Sequence, residues 1–145
     1  MTTTARDAIR LGTITVRFLV EGSSTEGALA LFEFCVPGGA KVPGAHSHDA
    51  YDETIYGLEG TLSWTVDGSR TEVRQGDVLH IPRGAVHRFH NEAEADARGL
   101  AVVTPGLLGP DYFREIGAVL AAAAGPPDPT TLAEVMRRHG LTPAG

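Results

Sequence analysis

The sequence predicts an all-β fold, an antiparallel sandwich or barrel, followed by two α-helices near the C-terminus. Over residues 11–104, short segments of alternating apolar and polar residues are separated by turn-forming residues at regular spacing, without intervening helical patterns. After Pro105 the apolar residues recur every three or four positions, which is the period of a helix. The 145 residues suffice for one domain. We therefore expect an N-terminal extension at residues 1–10, a β-barrel at 11–104 and a helical extension at 105–145.

Each predicted strand rests on its own pattern. The first, over residues 11–20, places Ile14, Val16 and Phe18 on one face. A second strand, over residues 28–36, lies between a Gly- and Ser-rich loop and Pro37-Gly38-Gly39. Asp67-Gly68 is typical of a two-residue β-hairpin turn. The remaining predicted strands lie near residues 46–48, 54–58, 61–66, 69–74, 78–81, 86–90 and 100–103.

The two helices have recognisable ends. Asp111 is predicted to cap the first helix, which stops at Gly125-Pro126-Pro127 because prolines interrupt the helical hydrogen bonds. The second helix begins at Asp128-Pro129, or one turn later at the capping box Thr131-x-x-Glu134. Gly140 is predicted to end it. Both helices are expected to cover the outside of the barrel or a dimer interface; the alternative is a lid over its mouth.

The composition excludes several classes of partner. The net charge of −6 and the absence of a basic run argue against nucleic acid. One cysteine, Cys35, permits no disulfide within the chain. No apolar run approaches the roughly 20 residues of a membrane helix, and the first ten residues lack the apolar core of a signal peptide. We therefore expect a cytoplasmic protein without a membrane partner.

Two segments rich in histidine carry the chemistry. In His46-Ser47-His48 the two imidazoles are two residues apart, so on a strand they point to the same face. Glu53 follows five residues after His48, which allows the chain to turn and bring a carboxylate beside them. In the second segment, Pro82-Arg83-Gly84 predicts a turn that aims His87 in a fixed direction.

These four side chains form a mixed nitrogen and oxygen ligand set. We predict that His46, His48, Glu53 and His87 bind one divalent transition metal, which could be iron, manganese, nickel, copper or zinc. Alternation from His87 places Phe89 inward, and alternation from Glu53 places Ile55 inward and Tyr56 outward. His90 is expected to point away from the site, and the sequence leaves the role of His80 undecided.

Both segments resemble the signature motifs of the cupin superfamily. The first motif is usually Gly-x5-His-x-His-x3,4-Glu-x6-Gly, and four positions match its spacing: His46, His48, Glu53 and Gly60. Its leading glycine would fall at Ala40, so the entry turn is shifted to Gly38-Gly39. The second motif, Gly-x5-Pro-x-Gly-x2-His-x3-Asn, is matched at every position, namely Gly76, Pro82, Gly84, His87 and Asn91.

The resemblance implies a small jelly-roll barrel, present once, with the metal inside. It also implies a quercetinase-like dioxygenase acting on a small hydroxylated or dicarbonyl substrate, with Glu53 as both metal ligand and general base. The alternatives are a non-redox metal-dependent isomerase, lyase or hydrolase, and a cupin that binds a small molecule without turnover. Similar cupins commonly pair through their sheets, so a homodimer is expected.

Overall fold

The structure, a computed structural model, describes residues 7–144 of the chain. Most of the expected N-terminal extension, residues 1–6, lies outside the described residues. The strands, in chain order, are β1 (Ile9–Leu11), β2 (Ile14–Val20), β3 (Ala30–Val36), β4 (His46–His48), β5 (Asp52–Glu59), β6 (Leu62–Val66), β7 (Ser69–Val73), β8 (Val78–Ile81), β9 (His87–His90), β10 (Ala97–Thr104) and β11 (Leu141–Pro143). The helices are α1 (Pro110–Ala122) and α2 (Pro129–Arg138).

The strands form two antiparallel sheets that pack as a jelly-roll sandwich. One sheet has the order β1-β2-β3-β10-β5-β8, and the other has the order β11-β4-β9-β6-β7. Several neighbours in each sheet are distant in sequence, as in β3 with β10, because the chain crosses repeatedly between the sheets. The all-β fold with two C-terminal helices is the one predicted from the sequence.

The alternating pattern predicts the buried face correctly. In β2, Ile14, Val16 and Phe18 are buried, and in β3 the buried residues include Phe32 and Phe34. Burying each such side chain contributes about 1.5–3 kcal/mol to the free energy of unfolding. A strand shifted by one residue would turn these side chains to the opposite face and lose their contributions. The space between the sheets is therefore lined mainly by apolar side chains.

The hairpin between β6 and β7 also forms as predicted. Val66 pairs with Ser69, so Asp67 and Gly68 are the two loop residues. Their φ angles are 46° and 84°, and a turn with two positive φ angles matches the twist of the flanking strands.

The helix ends confirm one predicted cap and correct another. Asp128 caps α2, since its carboxylate accepts a hydrogen bond from the N–H of Thr130 at 3.1 Å, and Pro129 occupies the first turn. Asp111 does not cap α1, because the cap is Gly109 and Pro110 follows it. Proline fits the first helical position, where no N–H donor is needed, and this places Asp111 inside the first turn.

The C-terminal segment returns to the barrel, which the sequence did not predict. After α2, Gly140 adopts a φ of +81°, and β11 then pairs with β4 so that Leu141 lies opposite His48. Helix α1 packs against β1, where a Cβ on Gly117 would lie only 2.3 Å from the carbonyl oxygen of Arg10. Among the described residues, no helix has the length and apolar composition needed to cross a membrane.

Candidate metal site

Two adjacent strands bring the three histidines together. His46 and His48 lie two positions apart on β4, and His46 is directly opposite His87 on β9. The approach to His87 is fixed by a turn in which Ala85 donates its N–H to the carbonyl oxygen of Pro82 at 3.1 Å. Gly84 has a φ of +84° in this turn, which glycine adopts without strain.

The three imidazoles form one compact cluster. One ligand nitrogen from each of His46, His48 and His87 lies within 4.8 Å of the other two. The ring centroids are 5.2 Å apart for His46 and His48, 4.6 Å for His46 and His87, and 4.5 Å for His48 and His87. Because metal–imidazole bonds are about 2.0–2.1 Å long, nitrogens this close can share one ion. The cluster is the arrangement expected of a single metal site.

Hydrogen bonds determine which ring nitrogens face the cluster. Nδ1 of His46 lies 3.0 Å from the carbonyl oxygen of Gly44, and Nδ1 of His87 lies 3.0 Å from that of Ala85. A carbonyl oxygen can only accept, so in both rings Nδ1 carries the proton and Nε2 keeps a free lone pair. Such a second hydrogen bond orients metal-binding histidines in proteins generally.

Burial keeps the imidazoles neutral. Desolvation, together with the neighbouring ring of His87, lowers the pKa of His46 to about 4. Desolvation likewise lowers the pKa of His48 and of His87. At neutral pH all three rings therefore offer lone pairs without first losing a proton, which fits a site for a cation.

Glu53 faces the cluster from the opposite sheet. It lies on β5, is only 7% exposed, and its Oε1 is 3.6 Å from Nε2 of His87. Desolvation raises the pKa of the Glu53 carboxyl to about 7, because the neutral imidazole beside it provides no positive charge. Glu53 stands outside the compact group of three nitrogens, and its role as a fourth ligand stays a prediction.

A small apolar cavity adjoins the cluster. Its volume is about 80 Å³, and His46, His48, His87 and Glu53 form part of its wall. No lysine or arginine lines this cavity in the described part of the chain. Its other walls consist of apolar or aromatic side chains: Leu11, Ile14, Val16, Phe32, Phe34, Pro43, Ile55, Trp64, Phe89, Leu108, Tyr112, Phe113 and Leu141.

The predicted side-chain directions are confirmed. Phe89 and Ile55 line the cavity, whereas Tyr56 is 42% exposed on the outer face. Phe32, Phe34 and Trp64 also line the cavity. Tyr51 is buried and stacks on the ring of His48, with centroids 4.5 Å apart, so it supports a candidate ligand from behind.

The sequence left open whether the C-terminal helices cover only the outside of the barrel or also its mouth. Leu108, Tyr112 and Phe113 line the cavity from α1 and the loop before it, and Leu141 lines it from β11. The apolar stripe of α1 was the available signal, but it was ambiguous. A helix packed only on the outside of the barrel shows the same stripe.

The remaining histidines of the two motif segments lie apart from the cluster. His80 is on the outer face of β8, where its Nδ1 is 2.9 Å from Oγ1 of Thr54 and its Nε2 is 4.0 Å from Asp52. His90 is on β9 and is not part of the cavity wall, as alternation from His87 predicts. Neither residue belongs to the candidate site.

Other motif residues shape the backbone instead. Gly60 has a φ of +66°, and a Cβ there would lie 2.3 Å from the carbonyl oxygen of Asp96. Asn91 is buried, and its Nδ2 donates to the carbonyl oxygens of Val36 at 2.8 Å and Ala95 at 2.9 Å. These positions hold the loops between strands in place.

The fold and the histidine cluster together define a cupin. The model of the cupin domain family matches residues 32–103, about half of the chain, and this range contains both histidine motifs. The chain belongs to the cupin superfamily.

Particular relatives extend this comparison. The chain is 30% identical over 101 residues to quercetin 2,3-dioxygenase of Bacillus subtilis, a match that covers 70% of this chain but only 29% of that protein. A protein of Thermotoga maritima described as a predicted oxalate decarboxylase has a TM-score of 0.63 at 22% identity, covering 71% of this chain and 93% of the other. A sugar phosphate isomerase of Silicibacter pomeroyi has a TM-score of 0.52 at 27% identity, covering 61% and 59%. The chain spans less than a third of the dioxygenase, so that protein's activity is not transferred with the match.

Proposed function

We propose that this cupin is a metal-dependent dioxygenase acting on a small, uncharged hydroxylated or dicarbonyl compound. His46, His48 and His87 would hold the metal, with Glu53 as the fourth ligand. A divalent first-row metal in such a site supplies redox or Lewis-acid chemistry at the positions that the protein leaves open. The similarity to quercetin 2,3-dioxygenase supports the redox alternative.

The single observation that carries the substrate assignment is the composition of the cavity wall. Apolar and aromatic side chains surround the cluster, and none of the described residues that line the cavity is cationic. Away from the proposed metal, a carboxylate or phosphate group in contact with this wall would lose its hydration without gaining a counter-charge. A neutral molecule with an apolar body and an oxygen at one end meets no such cost.

Glu53 is suited to moving the substrate's proton. In the metal-free protein, burial raises the pKa of its carboxyl to about 7, which makes it a better proton acceptor than an ordinary exposed carboxylate. The carboxylate would accept the proton of a hydroxyl or an enol at Oε1 or Oε2, and the surrounding apolar wall excludes competing water. The 3.6 Å separation between Oε1 of Glu53 and Nε2 of His87 supports this role, because it brings the carboxylate to the histidine cluster.

Oxygen uptake tests the proposal directly. Protein loaded separately with iron, manganese, nickel, copper or zinc would be assayed for oxygen consumption with catechols, flavonols and β-diketones. We expect metal-dependent uptake with at least one neutral substrate. We also expect Glu53→Gln to fold and to lose turnover by roughly 10²–10⁴-fold, the usual contribution of a general base. Unchanged turnover in Glu53→Gln would exclude the proton-transfer role.

A non-redox isomerase, lyase or hydrolase is the second candidate, favoured by the similarity to the sugar phosphate isomerase. In that case substrate would disappear without oxygen consumption. A third possibility is a protein that binds a small molecule without turnover, which would bind metal and ligand but convert none of the panel. In both cases the lack of a lysine or arginine among the described lining residues argues against a substrate whose phosphate group lies away from the metal.

The proposed assembly is a homodimer formed through the sheets. Exposed apolar side chains on the outer face, Tyr56 at 42% and Val78 at 64%, lie opposite each other on neighbouring strands and favour such a contact. Light scattering of the purified protein would measure its mass in solution, and a monomer would contradict the proposal.

A further inference from the structure

Part of the cavity wall comes from outside the region that defines the family. The family match ends at residue 103, whereas Leu108, Tyr112 and Phe113 follow it in the chain. The part of the chain that the family model matches therefore does not determine this wall by itself. Its shape depends on where this chain places α1.

Phe113 occupies the outer part of this wall. Most residues that line the cavity are buried, but four are only half-buried: Pro43, His46, Phe89 and Phe113. At a lining residue that is also partly exposed, one side chain reaches both the cavity and solvent, so shortening it can open the wall there. Phe113 is the member of this set that α1 contributes, whereas Tyr112 and Leu108 are buried behind it.

Aromatic contacts hold the Phe113 ring in position. Its centroid is 5.2 Å from that of Phe32, 5.8 Å from that of Phe18 and 5.0 Å from that of Tyr112. Contacts in this range favour defined ring orientations rather than free rotation into solvent. Phe32 itself lines the cavity, so the Phe113 ring continues the wall outward.

Helix α1 is fixed to the rest of the protein at two positions that follow Phe113 in the chain. Gly117 packs against the backbone of β1, where even a methyl group would clash with the carbonyl oxygen of Arg10. Glu115 binds Arg138 at 2.7 Å and also accepts a hydrogen bond from His139, so α1 is joined to the end of α2. The wall is therefore a packed element and not a loosely attached segment.

We propose that Phe113 is the specificity-determining residue that limits the size of the molecules this cavity admits. The inference rests on the proposed function only in taking this cavity as the substrate site. With about 80 Å³ available, the cavity accepts a compact ligand, and the ring of Phe113 blocks any extension past the mouth. Shortening this side chain opens the wall without altering the histidine cluster or Glu53.

Trp64 provides a readout that does not depend on catalysis. It is the only tryptophan in the sequence, lines the cavity and stacks against His87 with centroids 6.3 Å apart. Its fluorescence therefore reports occupation of the cavity. The experiment titrates the full-length, metal-loaded protein with benzene, toluene, n-propylbenzene and n-butylbenzene, without oxygen turnover.

We expect wild-type protein to bind benzene and to lose affinity as the alkyl chain lengthens. Phe113→Leu and Phe113→Ala should progressively restore binding of n-butylbenzene relative to benzene, by roughly tenfold or more, since one methylene in an apolar pocket alters recognition about 10–200-fold. Phe113→Leu serves as the milder variant if Phe113→Ala does not fold.

Phe18→Leu is the matched control. It makes the same chemical change in a ring that contacts Phe113 but does not line the cavity. This variant should lose stability and keep the wild-type size preference. An unchanged size preference in Phe113→Leu, or an equal widening in Phe18→Leu, would overturn the inference. Oxygen uptake tests the proposed reaction separately, so the two can fail independently.

Discussion

Gly84 donates its backbone N–H to the carbonyl oxygen of His48 at a distance of 2.9 Å. This hydrogen bond joins the two histidine segments, since Gly84 belongs to the turn before β9 and His48 belongs to β4. Strands β4 and β9 pair at a single register position, His46 with His87. The position of His87 relative to His48 therefore depends on the backbone of this turn.

Gly84→Ala should weaken the site through the backbone alone. Gly84 has a φ of +84°, and a Cβ placed there meets no atom within 4 Å, so the cost is conformational strain and not a clash. We expect a loss of about 1–2 kcal/mol in the free energy of unfolding, together with weaker metal binding. Chemical denaturation and calorimetric metal titration measure the two effects.

Gly44→Ala is the control for this variant. A Cβ at Gly44 also meets nothing within 4 Å, but Gly44 does not have a positive φ. Its carbonyl oxygen remains available to Nδ1 of His46. If both substitutions lowered stability and metal affinity equally, the positive φ of Gly84 would not be the cause of the loss.

Asn91→Ala should destabilise the fold without removing a candidate ligand. The side chain satisfies the carbonyl oxygens of Val36 and Ala95 and accepts the N–H of Ala93 at 3.0 Å. Leaving a buried backbone group unpaired costs about 1–3 kcal/mol, so we expect a loss of at least that size in denaturant unfolding. Asn91→Asp keeps the acceptor but loses both donors. It should be no more stable than Asn91→Ala, and near-wild-type stability would contradict the donor role.

The sequence predicted those parts of the site that depend on local pattern. Alternation within one strand suffices to place His46 with His48 and Phe89 with His87, and a Pro-x-Gly turn fixes the start of β9. Glycine and asparagine at motif positions could be recognised by spacing alone. Their physical roles, such as the two hydrogen bonds donated by Asn91, became clear only from the folded backbone.

Features that depend on distant contacts were not predicted. β11 is three residues long, and nothing in Leu-Thr-Pro indicates that it pairs with β4, more than ninety positions earlier. The same limit applies to Tyr112 and Phe113, whose helical period does not reveal which surface the helix covers. Near Asp111 the sequence contains two signals for a helix start: an aspartate that can cap a helix and a proline that fits the first helical position. The proline, Pro110, determined the start of α1.

Removing one imidazole should abolish metal binding at the cluster. His46→Ala and His87→Ala each leave two of the three nitrogens. We expect the metal affinity to fall by more than roughly 100-fold, because losing a residue that merely supports a metal ligand already costs up to about that factor. His80→Ala is the matched control, because His80 lies on the outer face and bonds to Thr54. Elemental analysis and calorimetric titration would measure the loss. Equal metal content in His46→Ala and wild type would contradict the assigned site.

The metal-free protein should lose stability as the pH falls below about 6.5. In the folded state burial lowers the pKa of His46 from 6.5 to about 4 and lowers that of His48 and His87 as well, so the unfolded chain binds more protons in this range. Each histidine contributes stability above pH 6.5 that is lost as the pH falls towards its folded pKa, on the order of 1–3 kcal/mol for His46.

Glu53 opposes this trend in the metal-free protein. Its raised pKa of about 7 means that the folded state binds the extra proton, so its contribution to stability increases as the pH falls from about 7 towards 4.5. Thermal unfolding between pH 4 and 8 should therefore show a steeper acid loss in Glu53→Gln than in wild type. In His46→Gln the loss should be shallower, because that variant lacks one of the buried imidazoles. Parallel pH profiles for all three proteins would show that these groups do not control the acid stability of the barrel.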